Sequence, residues 1–166
     1  MESRISNLDI IAKTLVDREE TIAIAESVTA GNLQAAFSLA KNATEFYHGG
    51  ITVYNTAQKA RHLHVDPIAA DRTNCVSESV STTMAREVCS LFSSNWGIAI
   101  TGYAAPVPEW NVRNTLFAWY AIALNGQVLM SKKIEVGKMP MDKVQKYFTR
   151  TVLKDFAKFL STARYS

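Results

Sequence analysis

The chain has 166 residues, of which 48% are hydrophobic and 20% are charged, and its formal net charge is +3. This composition is typical of one globular domain, and it argues against a disordered chain and against a strongly basic nucleic-acid-binding protein. The N-terminal sequence has no apolar signal core and no apolar run approaches the ~20 residues of a membrane span, so we expect a single cytoplasmic domain over residues 1–166 without membrane contact.

Hydrophobic periodicity and turn residues predict helices that alternate with strands. In chain order, the predicted elements are a helix at 6–18, a strand at 21–25, a helix that opens at 29–31, a strand at 50–54, helices at 56–63 and 77–92, strands at 96–101, 116–124 and 128–135, and a helix at 141–160. Ser6, Thr56 and Ser77 are the expected N-caps. Pro67 is expected to stop the helix that Thr56 begins, and Asn125-Gly126 to turn the final hairpin.

This order of elements predicts an α/β fold, a three-layer α/β/α sandwich with a mixed, mostly parallel sheet of about five strands. The final hairpin supplies the antiparallel strand. Open sheets of this kind bind ligands beyond the carboxyl ends of their strands. The residues expected at those ends are Glu26, Ser27, Asn55, Thr101 and Gly102, and all but the glycine are polar.

Basic residues crowd the C-terminal fifth of the chain. They are Lys132, Lys133, Lys138, Lys143, Lys146, Arg150, Lys154, Lys158 and Arg164. A solvated helix face is the favoured interpretation, and an anion or nucleic-acid surface is the alternative. His62 and His64 form an H-x-H pair, but no third ligand is placed to complete a metal site, so none is predicted.

The segment A-E-S-V-T-A-G at residues 25–31 joins a predicted strand to a predicted helix. Such a junction presents backbone N–H groups and the positive end of a helix to an anion. The simpler interpretation is an ordinary turn in which Ser27 or Thr29 caps the helix.

Four further side chains could carry chemistry. They are the Thr44 hydroxyl, the Tyr54 phenol, the Lys59 amine and the Thr101 hydroxyl. A lysine that is partly buried beside an alcohol can lose its proton and act as a general base, although a lysine one turn into a helix is usually solvated. We predict that these four side chains converge on one pocket.

Four blocks of the sequence, taken together and in order, resemble the CinA C-terminal domain family, the nicotinamide-nucleotide amidases. The blocks are A-E-S-V-T-A-G, N-A-T-E-F-Y-H-G-G-I-T-V-Y-N-T-A-Q-K, C-V-S-E and A-I-T-G-Y-A-A-P. The family patterns read roughly A-E-S-C-T-G-G, G-S-S-x-x-F-x-G-G-x-x-x-Y-S-N-x-x-K, A-V-S-E and A-V-T-G-I-A-G-P. The resemblance covers nearly the whole chain, about residues 5–160.

The resemblance implies hydrolysis of the carboxamide of nicotinamide mononucleotide to nicotinic acid mononucleotide and ammonia, with neither a metal nor a cofactor. In the family a Ser–Lys pair is thought to do this work, with the Ser attacking the amide carbon and the Lys taking its proton. The family's nucleophile falls on Thr44 and its base on Lys59. Its orienting Tyr and Thr fall on Tyr54 and Thr101.

Binding of the substrate is expected around the first and last blocks. The expected substrate-binding residues are Glu26, Ser27, Thr29, Gly31 and Gly102. The implied partner is a small nucleotide similar to nicotinamide mononucleotide. Members of the family often pair, so the resemblance also implies a homodimer.

The chain departs from the family pattern where the ligand is expected. Thr44 replaces the nucleophilic Ser, and its additional methyl group crowds the approach to an amide. The first Gly-Gly of the family is Ala30-Gly31, its G-P-G-G loop is 105–108, and no Arg is present at 136–140. These changes predict weakened or lost amidase activity, and the alternative is a non-catalytic module that binds a nucleotide or a protein. An ordinary rate would make Thr44 a working nucleophile or move that role to Ser27.

Overall fold

A computed structural model describes residues 6–162 of the chain. Within this range the elements are, in chain order, α1 (Asn7–Asp17), β1 (Ile22–Glu26), α2 (Asn32–Ser38), α3 (Ala43–Phe46), β2 (Tyr47–Thr52), α4 (Thr56–Leu63), α5 (Pro67–Asp71), α6 (Glu78–Phe92), β3 (Trp96–Gly102), a 3₁₀ turn (Pro108–Trp110), β4 (Thr115–Leu124), β5 (Gln127–Gly137) and α7 (Met141–Thr162).

The five strands form one sheet in the order β2-β1-β3-β4-β5. β1 pairs in parallel with β2 and with β3, whereas β4 is antiparallel to both β3 and β5. Of the described strands, β4 alone therefore runs against the others, as the final hairpin predicts. The mixed sheet expected from the sequence is confirmed.

The two faces of the sheet bury side chains of different size. Ile24 and Ile98 are on the face that shares a core with α1, α2, α3 and α7. Ala25 and Ala99 are on the other face, whose core includes residues of α4, α5 and α6. The small side chains allow α6 to approach closely, since a Cβ at Gly97 would lie 2.3 Å from a backbone oxygen of α6. Alternation along each strand thus produces three layers.

Two of the predicted N-caps, Ser6 and Ser77, are confirmed. Ser6 accepts a hydrogen bond of 3.1 Å from the Asp9 N–H, and the Asp9 carboxylate accepts one of 3.1 Å from the Ser6 N–H, which completes a capping box. Ser77 caps α6 by accepting a hydrogen bond from the Val80 N–H. Asn125 also adopts a positive φ, as a short hairpin turn requires.

Three local predictions are wrong. β2 begins at Tyr47 and ends at Thr52, earlier than the predicted strand at 50–54. The side chain that caps α4 is that of Asn55, so Thr56 is the first helical residue and not the N-cap. Pro67 does not stop α4 but begins α5, because proline is well suited to the first position of a helix.

Of the basic C-terminal residues, Lys132 and Lys133 lie on β5, Lys138 follows that strand, and the remaining described ones lie on the exposed side of α7. The apolar residues of α7 that face the core are Val144, Phe148, Val152, Phe156 and Leu160. Lys132 pairs with Asp155 at 3.1 Å and Lys133 with Glu135 at 2.9 Å, both at the surface. This arrangement is that of a solvated face, and Arg164 lies outside the described residues. Between residues 6 and 162, no helix has the length and apolar character needed to cross a bilayer.

Candidate active site

A pocket of about 320 Å³ opens beyond the carboxyl ends of β1, β2 and β3. Its walls come from the segments that follow these strands, from the stretch between α5 and α6, and from the first residues of α4 and α7. The lining residues are Ser27, Val28, Tyr54, Asn55, Thr56, Lys59, Asn74, Cys75, Val76, Thr101, Gly102, Tyr103, Ala104, Ala105, Val107 and Met141. The pocket therefore lies where open α/β sheets bind their ligands.

Two buried side chains, those of Ser27 and Lys59, meet in this pocket. Nζ of Lys59 donates a hydrogen bond of 3.0 Å to Oγ of Ser27 and another of 3.1 Å to the carbonyl oxygen of Val53. Ser27 is 6% exposed and Lys59 is 2% exposed. Burial lowers the pKa of Lys59 because the ammonium loses its hydration, while the nearby Cys75 thiol acts in the opposite direction. An amine held in this way is suited to take a proton from the serine hydroxyl.

The position of Lys59 follows from the start of α4. Asn55 fixes the first turn, since its side-chain oxygen accepts a hydrogen bond of 2.9 Å from the Gln58 N–H. Lys59 lies four residues before Leu63, and these are the two buried residues of this helix. Residues four apart share one face of a helix, so the lysine side chain is carried inward with the leucine.

Glu26 supports the turn that carries Ser27 but does not line the pocket. One carboxylate oxygen accepts hydrogen bonds from the Thr29 hydroxyl at 2.6 Å and the Leu33 N–H at 2.8 Å. The other accepts from the backbone and side-chain nitrogens of Gln34, each at 2.9 Å. Glu26 thus binds the N-terminus of α2, where a negative charge is favourable. Glu26 and Thr29, both predicted to bind substrate, are absent from the pocket lining and are bonded to each other, so substrate binding by them stays a prediction.

The turn between β1 and α2 requires unusual backbone angles. Ala30 has φ +50° and Gly31 has φ +101°. Neither residue lines the pocket, and a Cβ at Gly31 would meet no atom within 4 Å. Gly31, predicted to bind substrate, therefore serves the backbone conformation of the turn, for which glycine has no steric cost.

Thr101 and Gly102 lie in the pocket wall at the end of β3. The Thr101 hydroxyl donates a hydrogen bond of 2.7 Å to the carbonyl oxygen of Cys75, and the residue is 1% exposed. Asn74 and Cys75 both have positive φ angles, so this hydrogen bond holds a strained turn against the sheet. At Gly102 a Cβ would lie 2.5 Å from the Cβ of Ala118, which excludes any larger residue.

The structure brings Tyr54 to the pocket and leaves Thr44 outside it. Tyr54 lies in the wall and is 62% exposed. Thr44 lies on α3, immediately before β2, whereas Lys59 follows the opposite end of that strand. A six-residue strand spans roughly 17 Å, so the Thr44 hydroxyl is out of reach of the Lys59 amine. The prediction that Thr44 converges with the other three residues is wrong.

Several residues of the wall, among them Val28, Asn74, Cys75 and Met141, had no site role predicted from the sequence. Ser27 was expected to bind substrate, and its contact with Lys59 was not predicted. A signal for that contact was present, because Ser27 follows a strand while Thr44 precedes one. Side chains that follow parallel strands meet at one edge of a sheet.

The two histidines of the H-x-H pair contact different partners. Nε2 of His62 lies 3.0 Å from the side-chain oxygen of Gln58. Nδ1 of His64 lies 2.7 Å from a carboxylate oxygen of Glu87. Their rings thus take part in two separate surface contacts.

The sequence profile of the CinA C-terminal domain matches residues 6–160. The chain belongs to the CinA C-terminal domain family. The putative competence-damage inducible protein of Alkaliphilus oremlandii is 31% identical to this CinA domain over 136 residues, which are 82% of this chain and 33% of that protein. A CinA-like protein of Prochlorococcus marinus is 40% identical over 98 residues, 59% of this chain and 23% of that protein. The chain covers about a quarter to a third of the length of these curated relatives.

Solved CinA structures share the architecture. The competence damage-inducible protein A (ComA) of Klebsiella pneumoniae subsp. pneumoniae MGH 78578 matches with a TM-score of 0.86 at 24% identity, covering 95% of this chain and 97% of that one. The competence or damage-inducible protein of Enterobacter asburiae matches with a TM-score of 0.82 at 26% identity, covering 93% and 96%. The α/β fold expected of a CinA domain is confirmed.

Proposed function

We propose that this CinA-family chain is a carboxamide hydrolase in which Ser27 is the nucleophile and Lys59 is the general base. The observation that supports it is the 3.0 Å contact between the Lys59 amine and the Ser27 hydroxyl, two buried groups in the wall of a pocket. A nucleophile within hydrogen-bond distance of its base is the arrangement that covalent catalysis requires. The family resemblance supplies the reaction class, hydrolysis of a linear amide with release of ammonia.

Catalysis starts with the Lys59 amine in its neutral form. Oγ of Ser27 attacks the amide carbon while its proton moves to Nζ of Lys59, and the carbonyl oxygen becomes an oxyanion. The lysine ammonium then protonates the amide nitrogen, the C–N bond breaks and ammonia departs. The acyl group remains bound to Oγ of Ser27 as an ester. A water molecule attacks this ester, Lys59 takes the water's proton, and Nζ returns it to Oγ as the acid is released.

Two features of the surrounding structure assist these steps. The Val53 carbonyl holds Nζ of Lys59 from a second direction, so the amine is fixed toward Ser27. The N–H of Val28 follows the nucleophile in the chain and has no acceptor among residues 6–162, and Val28 lines the pocket. We assign stabilisation of the oxyanion to this N–H group. Gln145 of α7 fixes the same turn by donating a hydrogen bond of 3.0 Å to the Val28 carbonyl.

The case for a non-catalytic CinA module depends on several departures from the family pattern, and the one that concerns the nucleophile is Thr44 in place of the family's serine. Because Thr44 lies outside the pocket, that replacement leaves the Ser27–Lys59 contact untouched. The loop at 105–108, which contains two prolines, still departs from the family pattern. It contributes to the pocket wall and does not carry the nucleophile. The geometry therefore favours a hydrolase with an altered substrate site over an inactive module.

Ammonia release tests this assignment. With nicotinamide mononucleotide and other pyridine carboxamides as substrates, we expect Ser27→Ala and Lys59→Met to lower the rate by about 10²–10⁴-fold, the range typical of positioned acid–base groups. Thr44→Ala, at the opposite end of β2, serves as the matched control and should remain within about twofold of the wild type. A fluorophosphonate should label Ser27 and no other serine. Full activity of Ser27→Ala would contradict the proposal.

A further inference from the structure

A second cavity, of about 510 Å³, is lined by residues of α5, of the segments on either side of it and of α6. This α5–α6 cavity has no lining residue in common with the pocket of Ser27 and Lys59 within residues 6–162. Small-molecule sites occupy roughly 300–1,000 Å³, so the cavity is large enough for an organic ligand. It is therefore a candidate site separate from the proposed active site.

Two arginines in the wall of the α5–α6 cavity carry unpaired charge. Arg72 follows α5, Arg86 lies on α6, and both are exposed. Neither takes part in an ion pair or a side-chain hydrogen bond within the part of the chain that the structure describes. A guanidinium presents its N–H donors in a planar fork that matches the oxygens of a phosphate. Two such groups around one cavity therefore suit a dianion.

The carboxylates near these arginines are engaged by other groups. Asp66 caps α5 by accepting hydrogen bonds of 2.9 Å and 3.3 Å from two backbone N–H groups of that helix. A carboxylate oxygen of Glu87 lies 2.7 Å from Nδ1 of His64. Asp71 accepts a hydrogen bond of 3.2 Å from the Thr56 hydroxyl of α4. These contacts leave the two guanidinium groups available to an anion from solution.

Free hydroxyl groups lie beside one of the arginines. Ser79, Thr83 and Arg86 follow one another on α6 at intervals of four and three residues, so they share one face of the helix. The hydroxyls of Ser79 and Thr83 have no hydrogen-bond partner among residues 6–162. By contrast, the hydroxyls of Ser81 and Thr82, which lie outside the cavity wall, donate to carbonyls of their own helix. The face at the cavity thus offers additional donors to an oxyanion.

We propose that the α5–α6 cavity binds the phosphate group of a small phosphorylated molecule. Arg72 and Arg86 supply the charge, and Ser79 and Thr83 donate to the remaining oxygens. Donors from several positions suit a tetrahedral group with several oxygens better than a planar carboxylate. The apolar side chain of Val80, also in the wall, can contact the uncharged part of the ligand. The proposal does not depend on the proposed hydrolase.

Titration of the full chain with phenyl phosphate, followed by ¹H–¹⁵N NMR at about pH 8, tests this site with a dianionic phosphate ester. We expect the backbone amide signals of Ser79 and Thr83 to shift to saturation. The Kd read from these signals should rise at least about tenfold in Arg72→Gln and in Arg86→Gln, through loss of charge-assisted hydrogen bonds. Arg61→Gln, at an exposed arginine of α4 outside the cavity wall, removes the same charge and should leave Kd within about twofold.

A parallel titration with benzoate separates phosphate recognition from simple attraction of an anion. Benzoate should bind at least about tenfold more weakly than phenyl phosphate, because it has fewer oxygens for the same donors. Equal affinity for the two probes, equal weakening by all three arginine variants, or no saturating shift at Ser79 and Thr83 would each overturn the proposal. Shifts confined to Ala104 and Ala105 would place the phosphate in the pocket of the proposed hydrolase, which overturns the second site and leaves the hydrolase standing.

Discussion

At the scale of single residues, burial of Lys59 lowers the stability of the fold and also favours the neutral amine that the proposed chemistry needs. Its side chain is almost fully buried, and its amine has two oxygen partners but no carboxylate among the hydrogen bonds and ion pairs within residues 6–162. A charged lysine in such a place is destabilising because the ammonium gives up hydration without a counter-charge. The same loss of hydration lowers the pKa of Lys59, which favours the neutral base that the proposed attack by Ser27 requires.

The pH dependence of stability should reveal this cost. Burial lowers the folded-state pKa of Lys59 below its ordinary 10.5, so the unfolded chain binds more protons between these two pKa values. The destabilisation caused by burying the Lys59 ammonium therefore decreases as the pH rises through that window, and it is absent well above pH 10.5. We expect the free energy of the wild type, relative to Lys59→Met, to increase between pH 7 and pH 10.5. Urea unfolding measures it, and a difference that stays constant with pH would contradict a lowered pKa.

A second residue-scale prediction concerns Ala30. The backbone conformation of Ala30, at φ +50°, costs a non-glycine residue about 1–2 kcal/mol. Glycine removes this strain, but part of the gain is lost because glycine increases the entropy of the unfolded chain. We expect Ala30→Gly to raise the free energy of unfolding by about 0.5–1 kcal/mol. Ala35→Gly is the matched control, since Ala35 is exposed in the interior of α2, where glycine should lower stability by a similar amount. Destabilisation by Ala30→Gly would show that the turn is not strained.

At the scale of elements, Glu26 joins β1 to α2. Its four hydrogen bonds reach across the turn that carries Ser27, so the carboxylate holds this turn to the start of the helix. The turn is thus held by Glu26 through the start of α2 and by Gln145 of α7 through the Val28 carbonyl. In the proposed hydrolase, a serine on a flexible turn would lose its alignment with Lys59, so Glu26 would support catalysis without contacting the substrate.

Replacement of this carboxylate should loosen the turn. Glu26→Gln keeps the volume but turns an NH₂ group toward donors, so we expect stability to fall by about 2–4 kcal/mol, given 1.5–3 kcal/mol for hydrogen bonds to charged groups. Thr29→Val, which removes one of the donors, should cost about 1 kcal/mol. Guanidinium unfolding compares the two variants. Equal stability of Glu26→Gln and wild type would mean that the carboxylate does not hold α2.

The elements that the sequence predicts well are those with local signals. Ser6 and Ser77 cap their helices because the capping atoms lie within three residues of each other. The location of Thr44 has no such signal, since it depends on the pairing of Tyr47 with Ile22, which places α3 at the amino end of the sheet. Motif matching alone put the nucleophile on Thr44. Only the direction of the strands shows that Ser27 is the hydroxyl that meets Lys59.

At the scale of the whole molecule, two cores share one sheet. The larger side chains of β1 and β3 belong to the core beneath α1 and α7, and the smaller ones belong to the core beneath α6. Each strand contributes to both cores because its side chains alternate between faces. Loss of packing on one face therefore removes support from the strands that carry the other face. The pocket depends on both faces, since Ser27 follows β1 and Thr101 lies near the end of β3.

This coupling predicts one cooperative unfolding transition. Leu15 and Met84 are fully buried in opposite cores, and replacement of such residues by alanine costs about 2–5 kcal/mol. We expect each of Leu15→Ala and Met84→Ala to lower the denaturant concentration at the midpoint of unfolding. Within each variant, far-UV circular dichroism and tryptophan fluorescence should give the same midpoint, and the slope m should be unchanged. Glu19→Ala, at an exposed residue between α1 and β1, is the control and should shift neither signal by more than about 0.5 kcal/mol. If one core melted before the other, the two signals would separate in one of the variants, and the sheet would then not transmit stability between its faces.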